Sequence, residues 1–286
     1  MTRAFLVALL LVVVATWQLT PRHLPPTRAV VVGAGLALLG TLVWLACQVP
    51  FSSAYVIVNR DPVFVTLEGL WLSDHPGSTI PVGSAEAVAN AIDGVEASTG
   101  AYALIDGVLH PQGAKMLPGL LALATWFAGD RAALAGNLAI GAVGLLAVYG
   151  FGRRLVGPLW ALLPMVALGA SMPMAAFSRA AYTEPLNLAL VFTGLTMLWS
   201  SIETRSWWRY LIGGSLIGST VLARIDGSSS VIGLVAGPLQ ASSRSLMARL
   251  APAGRHGEFF GLFALSGKVT SFMGPTLVAL ATTIFA

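Results

Sequence analysis

The run RAALAGNLAIGAVGLLAVYGFG at residues 131–152 decides the fold class of this chain. Arg131 is its only charged residue, and at about 1.5 Å per residue a helix over this run reaches roughly 33 Å. The hydrocarbon core of a bilayer is about 30 Å thick, and only helices or closed barrels satisfy their backbone hydrogen bonds inside it. The run therefore predicts a transmembrane helix.

Further apolar runs of similar length lie on both sides of this one. They cover residues 4–20, 29–49, 156–177, 185–201 and 258–285, with two weaker runs at 209–223 and 229–243. The chain of 286 residues is 56% hydrophobic and 10% charged, whereas a soluble domain is about 25% charged. We predict an all-α polytopic integral membrane protein with about eight transmembrane helices and one long extracytoplasmic loop. Gly214 and Gly218 have the spacing that lets helices approach closely.

The basic residues indicate how these helices are oriented. The net charge is +4, but the arginines lie in short loops between apolar runs, which argues against a nucleic-acid-binding face and for orientation signals. Nine of the sixteen Lys and Arg residues would face the cytoplasm: Arg22, Arg28, Arg153, Arg154, Arg205, Arg209, Arg244, Arg249 and Arg255. The absence of an Asn-x-Ser/Thr acceptor is consistent with a bacterial inner (plasma) membrane.

The interval from Phe51 to His110 is the long polar segment of the chain. Against one basic residue, Arg60, it contains seven acids: Asp61, Glu68, Asp74, Glu86, Asp93, Glu96 and Asp106. The positive-inside rule places this acidic loop on the extracytoplasmic side, provided that the short apolar stretch at residues 115–127 is an interfacial helix and not a span.

These patterns divide the chain into four regions. We predict two N-terminal transmembrane helices (1–50), the acidic loop with its interfacial helix (51–130), a transmembrane core (131–229) and C-terminal helices (230–286).

Three sites bring charges to the outer ends of membrane helices. They are Asp61, the connection SRAAYTEP at 178–185 with Arg179 and Glu184, and the pair Arg224 and Asp226. Ionisable residues at membrane depth usually line a polar cavity or pair with an opposite charge. Carboxylates beside guanidiniums suit the transfer of a sugar from a lipid phosphate to a hydroxyl. A carboxylate takes the acceptor proton, a role worth about 10² to 10⁴ in rate, and arginine holds the departing phosphate.

Each of these residues also has a purely structural interpretation. Asp61 fits a solvated loop acid about as well as a catalytic base. Arg179 and Glu184 are spaced to pair across their turn. Arg224 and Asp226 have the arrangement of a helix end whose arginine extends to the interface.

Several motifs resemble the first outer loop and membrane core of GT-C glycosyltransferases, the multispan enzymes related to protein mannosyltransferases. They are NRDPVFVTLEGLWLSDHPG (59–77), HPQG (110–113), PGLLA (118–122), GDR (129–131), GRRL (152–155), FSRAAYTEPL (177–186) and RIDG (224–227). The resemblance spans roughly residues 29–229. It implies inverting transfer from a polyprenyl-phosphate sugar with Asp61 as the catalytic base. It also implies substrate-binding roles for Arg179, Glu184, Arg224, Asp226 and His110.

From about Val231 the motifs change. GPLQASSRSL (237–246), EFFGL (258–262), SGK (266–268) and GP (274–275) resemble the tenth and eleventh spans of major facilitator transporters, in the branch of the autophagy-linked vacuolar effluxers. Both families together predict a composite chain with a junction near residues 225–236.

Three hypotheses follow. The first is a truncated membrane glycosyltransferase, with a polyprenyl-phosphate sugar and the bilayer as partners and no cofactor, although a divalent metal stays open. The second is a major facilitator transporter or a fragment of one. The third is a composite that only inserts into the membrane, and for all three the oligomeric state is undetermined.

Overall fold

The computed structural model describes residues 27–52, 56, 61–95, 97 and 101–224. The expected spans at 4–20, 229–243 and 258–285 lie outside these residues. The described elements are helices α1 (Arg28–Gln48), α2 (Asp61–Asp74), α3 (Ala85–Ala91), α4 (Met116–Ala128), α5 (Arg131–Val156), α6 (Leu162–Gly169), α7 (Met172–Arg179), α8 (Glu184–Thr204), α9 (Trp207–Gly218) and α10 (Thr220–Ala223), and strands β1 (Ile80–Pro81), β2 (Tyr102–Ile105) and β3 (Val108–Pro111).

The prediction of a helical membrane protein is confirmed. Among the described residues, three helices are long and apolar enough to cross a bilayer: Arg28–Phe51, which includes α1 and a short 3-10 turn, Arg131–Val156 and Glu184–Thr204. A fourth span exists if the bent pair α6 and α7 counts as one. The described part of the chain thus contains three or four of the eight or so spans that the sequence predicts.

The apolar run at 156–177 does not form one continuous helix. The chain bends by 62° between α6 and α7. Ser171 caps α7, since its Oγ accepts a hydrogen bond from the backbone N–H of Met174 at 3.4 Å. Pro173 follows within the first turn, where its missing N–H costs nothing, whereas inside a continuous helix it would remove a backbone hydrogen bond. The cap and the proline together begin a new helix at this point.

Helix α5 is the centre of the bundle. It packs against α1, α6, α7 and α8, and 67% of its most apolar stretch is buried inside the protein. Its small residues permit this. A side chain at Gly141 would meet the Ser178 hydroxyl, and one at Gly144 would come within 3.4 Å of the Pro185 carbonyl oxygen.

The close approach of α8 and α9 depends on glycines other than those that the spacing indicated. A Cβ on Gly213 would lie 2.9 Å from the carbonyl oxygen of Gly194, and the reverse distance is also 2.9 Å. Around Gly214 and Gly218, by contrast, no described atom lies within 4 Å of an added Cβ. Gly214 and Gly218 therefore take no part in the approach of α8 and α9.

The acidic loop contains α2, which packs along α4. Helix α4 has 13 residues and reaches about 20 Å, too short to cross the hydrocarbon core. The sequence did not predict the small antiparallel sheet of order β1-β3-β2. Asp106 and Gly107 join β2 to β3 with positive φ angles of 51° and 74°, the geometry of a type I′ hairpin turn.

Candidate functional site

One end of the bundle brings together four chain segments that are distant in sequence. The end of α1 meets the end of α7 through Gln48 and Arg179, and the end of α10 meets the start of α8 through Arg224 and Glu184. Helices α2 and α4 cover the same end, because Val65 and Leu117 share an apolar cluster with the α7–α8 turn, the start of α8 and the end of α10. We call this assembly the polar end of the bundle.

Arg179 is oriented but has no carboxylate partner among the described residues. Its Nε donates to Oε1 of Gln48 at 2.8 Å, and its guanidinium carbon lies 4.9 Å from the ring centroid of Phe51. These contacts hold the plane of the guanidinium and leave its two Nη groups outside any described hydrogen bond. Such a group is a preorganised anion ligand, since arginine presents paired N–H groups in a fixed fork.

Glu184 pairs with Arg224 and not with Arg179. The Nη1 group of Arg224 donates to Oε1 of Glu184 and lies 3.4 Å from the Thr183 hydroxyl oxygen. The pairing of Arg179 with Glu184 across their turn, one of the structural interpretations, is therefore wrong. The turn points the two side chains to different neighbours, and the charge of Arg224 is offset by an acid on another helix.

The position of the α7–α8 turn depends on Asn137, which the sequence analysis did not single out. Its side chain is fully buried, and its Nδ2 group donates to the carbonyl oxygens of Phe177 at 2.9 Å, Ala180 at 2.6 Å and Tyr182 at 2.9 Å. The signal was available, because a carboxamide inside an apolar membrane run must find partners in the protein.

The structure brings none of the remaining predicted site residues into described contact with Arg179 or Arg224. Asp61 is the first residue of α2, but its side chain lies outside the described part of the structure, as does the whole of Asp226. His110 lies on β3, opposite Ala103 of β2. No contact that the structure describes joins His110 to Arg179 or Arg224.

A buried acid, Glu68, lies beneath the sheet. Only 2% of its side chain is exposed, and its Oε1 lies 2.9 Å from Nζ of the half-exposed Lys115. Burial raises the pKa of Glu68, while the hydrogen bond and charge of Lys115 act against that rise. Burial, with a smaller contribution from the Glu68 carboxylate, raises the pKa of Tyr102 to about 12. Glu68 is thus a structural acid joined to the start of α4, not an exposed catalytic group.

Next to Glu68, an open cavity of about 500 Å³ lies between α2 and the sheet. The rings of Trp71 and His75 stack in parallel at 3.5 Å at its wall, and leucines line much of the remainder. Within the described ranges, no group of three or more His, Cys, Asp and Glu side chains could hold a metal ion.

Comparison with known proteins gives matches at the C-terminal end of the chain. Residues 228–284 match the family described as vacuole effluxer Atg22 like. The relatives found are the Autophagy-related protein 22 of two strains of Cryptococcus neoformans, each 48% identical over 48 residues. The shared stretch is 17% of this chain and only 9% and 8% of the two relatives. No solved structure matches.

The match supports the transporter resemblance of the C-terminal segment and gives no support to the glycosyltransferase hypothesis. It also falls close to a structural boundary, because the chain separates into two compact units, Met1–Ser230 and Val231–Ala286. The expectation of a bacterial inner membrane gains no support either, since both relatives come from a eukaryote.

Proposed function

We propose that the chain takes part in solute transport across a membrane, through a C-terminal segment of the vacuole effluxer type. The observation that supports this is the family match over residues 228–284. The sequence of the segment fits such a role, because Lys268 interrupts an apolar run. A lysine within a span usually faces a cavity or a partner, since exposing it to lipid costs about 3 kcal/mol on insertion scales.

Transport is tested with the full chain in proteoliposomes. Efflux of a panel of radiolabelled amino acids, sugars and nucleosides is measured, and Lys268→Met is expected to lower the flux of the transported solute at least about tenfold. Arg131→Gln changes the net charge equally at a position outside the segment and serves as the control. Solute flux equal to that of empty liposomes, or flux unchanged in both Lys268→Met and Arg244→Gln, would contradict the proposal.

A second candidate function is sugar transfer from a polyprenyl phosphate at the polar end of the bundle. The specific observation that favours it is the orientation of Arg179, whose guanidinium is fixed by Gln48 and Phe51 and has no acid partner among the described residues. An arginine held in this way suits a lipid phosphate better than Arg224, whose charge is already offset by Glu184. In this proposal Arg179 binds the donor phosphate and Asp61 removes the acceptor proton.

The transferase proposal is tested by an assay of sugar release. Membranes containing the protein are incubated with radiolabelled polyprenyl-phosphate sugars, and sugar release is followed. Asp61→Asn is expected to abolish turnover, and Arg179→Gln is expected to lower turnover at least about a hundredfold. Arg131→Gln is the matched control at the same end of the bundle. Equal turnover by wild type and Asp61→Asn would remove the base from the mechanism.

Both proposals share one membrane orientation. We infer that the polar end with the acidic loop is extracytoplasmic, since the opposite end has most of the arginines. A cysteine introduced at Ser84, an exposed position, is expected to react with a membrane-impermeant maleimide from the extracytoplasmic side. The native Cys47 is exposed and is replaced by serine in this experiment. Labelling of Ser84→Cys from the cytoplasm alone would reverse the orientation.

A further inference from the structure

The end of the bundle opposite to Arg179 has a strong excess of positive charge. Three contacts define this basic end: a Cβ on Gly33 of α1 would meet the hydroxyl of Tyr149 on α5, Arg154 pairs with Glu203, and Arg209 donates to Ser200. Five arginines lie here, with one described carboxylate among them: Arg28, Arg153, Arg154, Arg205 and Arg209. Among the described residues, the local charge is therefore four positive units in excess.

Glu203 does not offset this excess beyond one unit. Its Oε2 accepts from Nη1 of Arg154 at 2.5 Å, and its Oε1 accepts from Nε1 of Trp199 at 2.8 Å. Both oxygens are thus engaged by groups other than Arg153 and Arg205. The one described acid of the basic end therefore forms its ion pair with Arg154.

Two buried guanidinium nitrogens at this end have no hydrogen-bond partner among the residues that the structure describes. They are Nη2 of Arg153 and Nε of Arg154, and only 8% of the Arg154 side chain is exposed. Unsatisfied charged donors at such a position are costly, so they are normally met by an acceptor. Membrane orientation alone explains why arginines accumulate on one side, but it does not require buried donors that point to no acceptor.

The surface around these donors is apolar and aromatic. Trp160, Trp207 and Trp208 are exposed. The side chains of Leu155, which follows Arg154, and of Ile202, which precedes Glu203 in α8, are exposed as well. Exposed tryptophans and long apolar side chains beside arginines are typical of the level where lipid headgroups meet acyl chains. A soluble anion would leave this apolar flank uncovered, whereas a lipid covers it with its acyl chains.

We propose that the basic end binds the phosphate of an anionic phospholipid. Arg153 and Arg154 supply the buried donors, and Arg205 adds charge from the end of α8. The phosphate provides several acceptor oxygens, which match the paired N–H groups of the guanidiniums. The acyl chains lie along Leu155 and Ile202. This site is separate from both proposed functions, since it uses neither the C-terminal segment nor the polar end.

The test uses the full chain in detergent and in nanodiscs. Retention of phosphatidylglycerol and of phosphatidylcholine is compared by native mass spectrometry, and thermal unfolding is recorded in nanodiscs of each composition. We expect preferential retention of phosphatidylglycerol and a higher Tm in anionic nanodiscs. Arg153→Gln and Arg205→Asn are each expected to weaken phosphatidylglycerol binding roughly fivefold, and the preference is expected to fall as salt is raised.

The variants are chosen so that folding and binding are separated. Arg205 has a φ of 47°, a left-handed conformation that asparagine tolerates, so Arg205→Asn removes the charge and keeps the backbone. Arg131→Gln removes one charge at the opposite end and is expected to bind as wild type does. Equal retention of the two lipids, equal loss in Arg131→Gln and Arg205→Asn, or the same Tm increase from inorganic phosphate alone would each overturn the proposal.

Discussion

The side-chain amide of Asn137, in the second turn of α5, donates a 2.6 Å hydrogen bond to the backbone carbonyl oxygen of Ala180, in the turn between α7 and α8. The same nitrogen serves the carbonyl oxygens of Phe177 and Tyr182. One buried amide group thus donates hydrogen bonds to three carbonyl oxygens of this turn. This turn positions both Arg179 and Glu184, so the polar end depends on a residue that has no part in its chemistry.

Replacing Asn137 by leucine is expected to destabilise the protein by about 1–3 kcal/mol, because the carbonyl oxygens of the turn lose a buried donor. The measurement is the Tm of the purified protein in detergent. Asn187→Leu is the matched control: Oδ1 is buried without a described partner in both asparagines, but only Nδ2 of Asn137 makes described hydrogen bonds. A Tm decrease in Asn187→Leu as large as that in Asn137→Leu would contradict the assignment.

Replacing Gly194 by alanine is expected to separate α8 from α9. The new Cβ would lie 2.6 Å from Cγ1 of Ile217 and 2.9 Å from the carbonyl oxygen of Gly213, so at least one helix backbone must shift. Such overpacking costs about 1–3 kcal/mol. Gly214→Ala, with no described atom within 4 Å of its added Cβ, is expected to leave Tm unchanged or slightly raised. The reverse order of the two Tm values would disprove this packing.

Glu68 is expected to make stability depend on pH in the acidic range. Burial raises its pKa, so the folded protein holds the proton more tightly than the unfolded chain does. Its favourable contribution is complete below the ordinary glutamate pKa of about 4.3 and is lost as pH rises through the raised value. The stability of wild type relative to Glu68→Gln should therefore fall as pH increases across this window. The free energy of unfolding is measured at several pH values, with Glu86→Gln at an exposed position as the control. A stability difference between wild type and Glu68→Gln that does not change with pH would contradict the prediction.

The Arg224–Glu184 pair is expected to show a small coupling energy. Because 29% of the Arg224 side chain and 36% of the Glu184 side chain are exposed, water screens their attraction, and about 0.5 kcal/mol is expected from a double-mutant cycle. The cycle compares Arg224→Ala, Glu184→Ala and the double variant by thermal unfolding. A coupling above about 2 kcal/mol would mean that the pair is more deeply buried than the structure indicates.

Much of the fold follows from local sequence, and the reason is the bilayer. The apolar runs at 29–49, 131–152 and 185–201 correspond to Arg28–Gln48, Arg131–Val156 and Glu184–Thr204, because a helix is the local solution for a long apolar run in lipid. Hydropathy alone could not reveal the bend between α6 and α7, since Gly169 to Pro173 changes the backbone without changing the apolar character. The sheet was missed because its strands have two to four residues, too few for a periodic pattern.

The candidate site was predictable as a set of residues and not as a set of partners. The sequence by itself determined that Arg179, Glu184 and Arg224 lie at helix ends, because charges are excluded from apolar runs. Only the tertiary structure decided that Glu184 pairs with Arg224 and that Arg179 contacts Gln48. Those partners lie 40 and 131 residues apart, and helix packing, which depends on glycines and on the buried Asn137, sets which ends meet. The physical reason is that burial in lipid is a local property of each segment, whereas a pairing depends on the distance between segments.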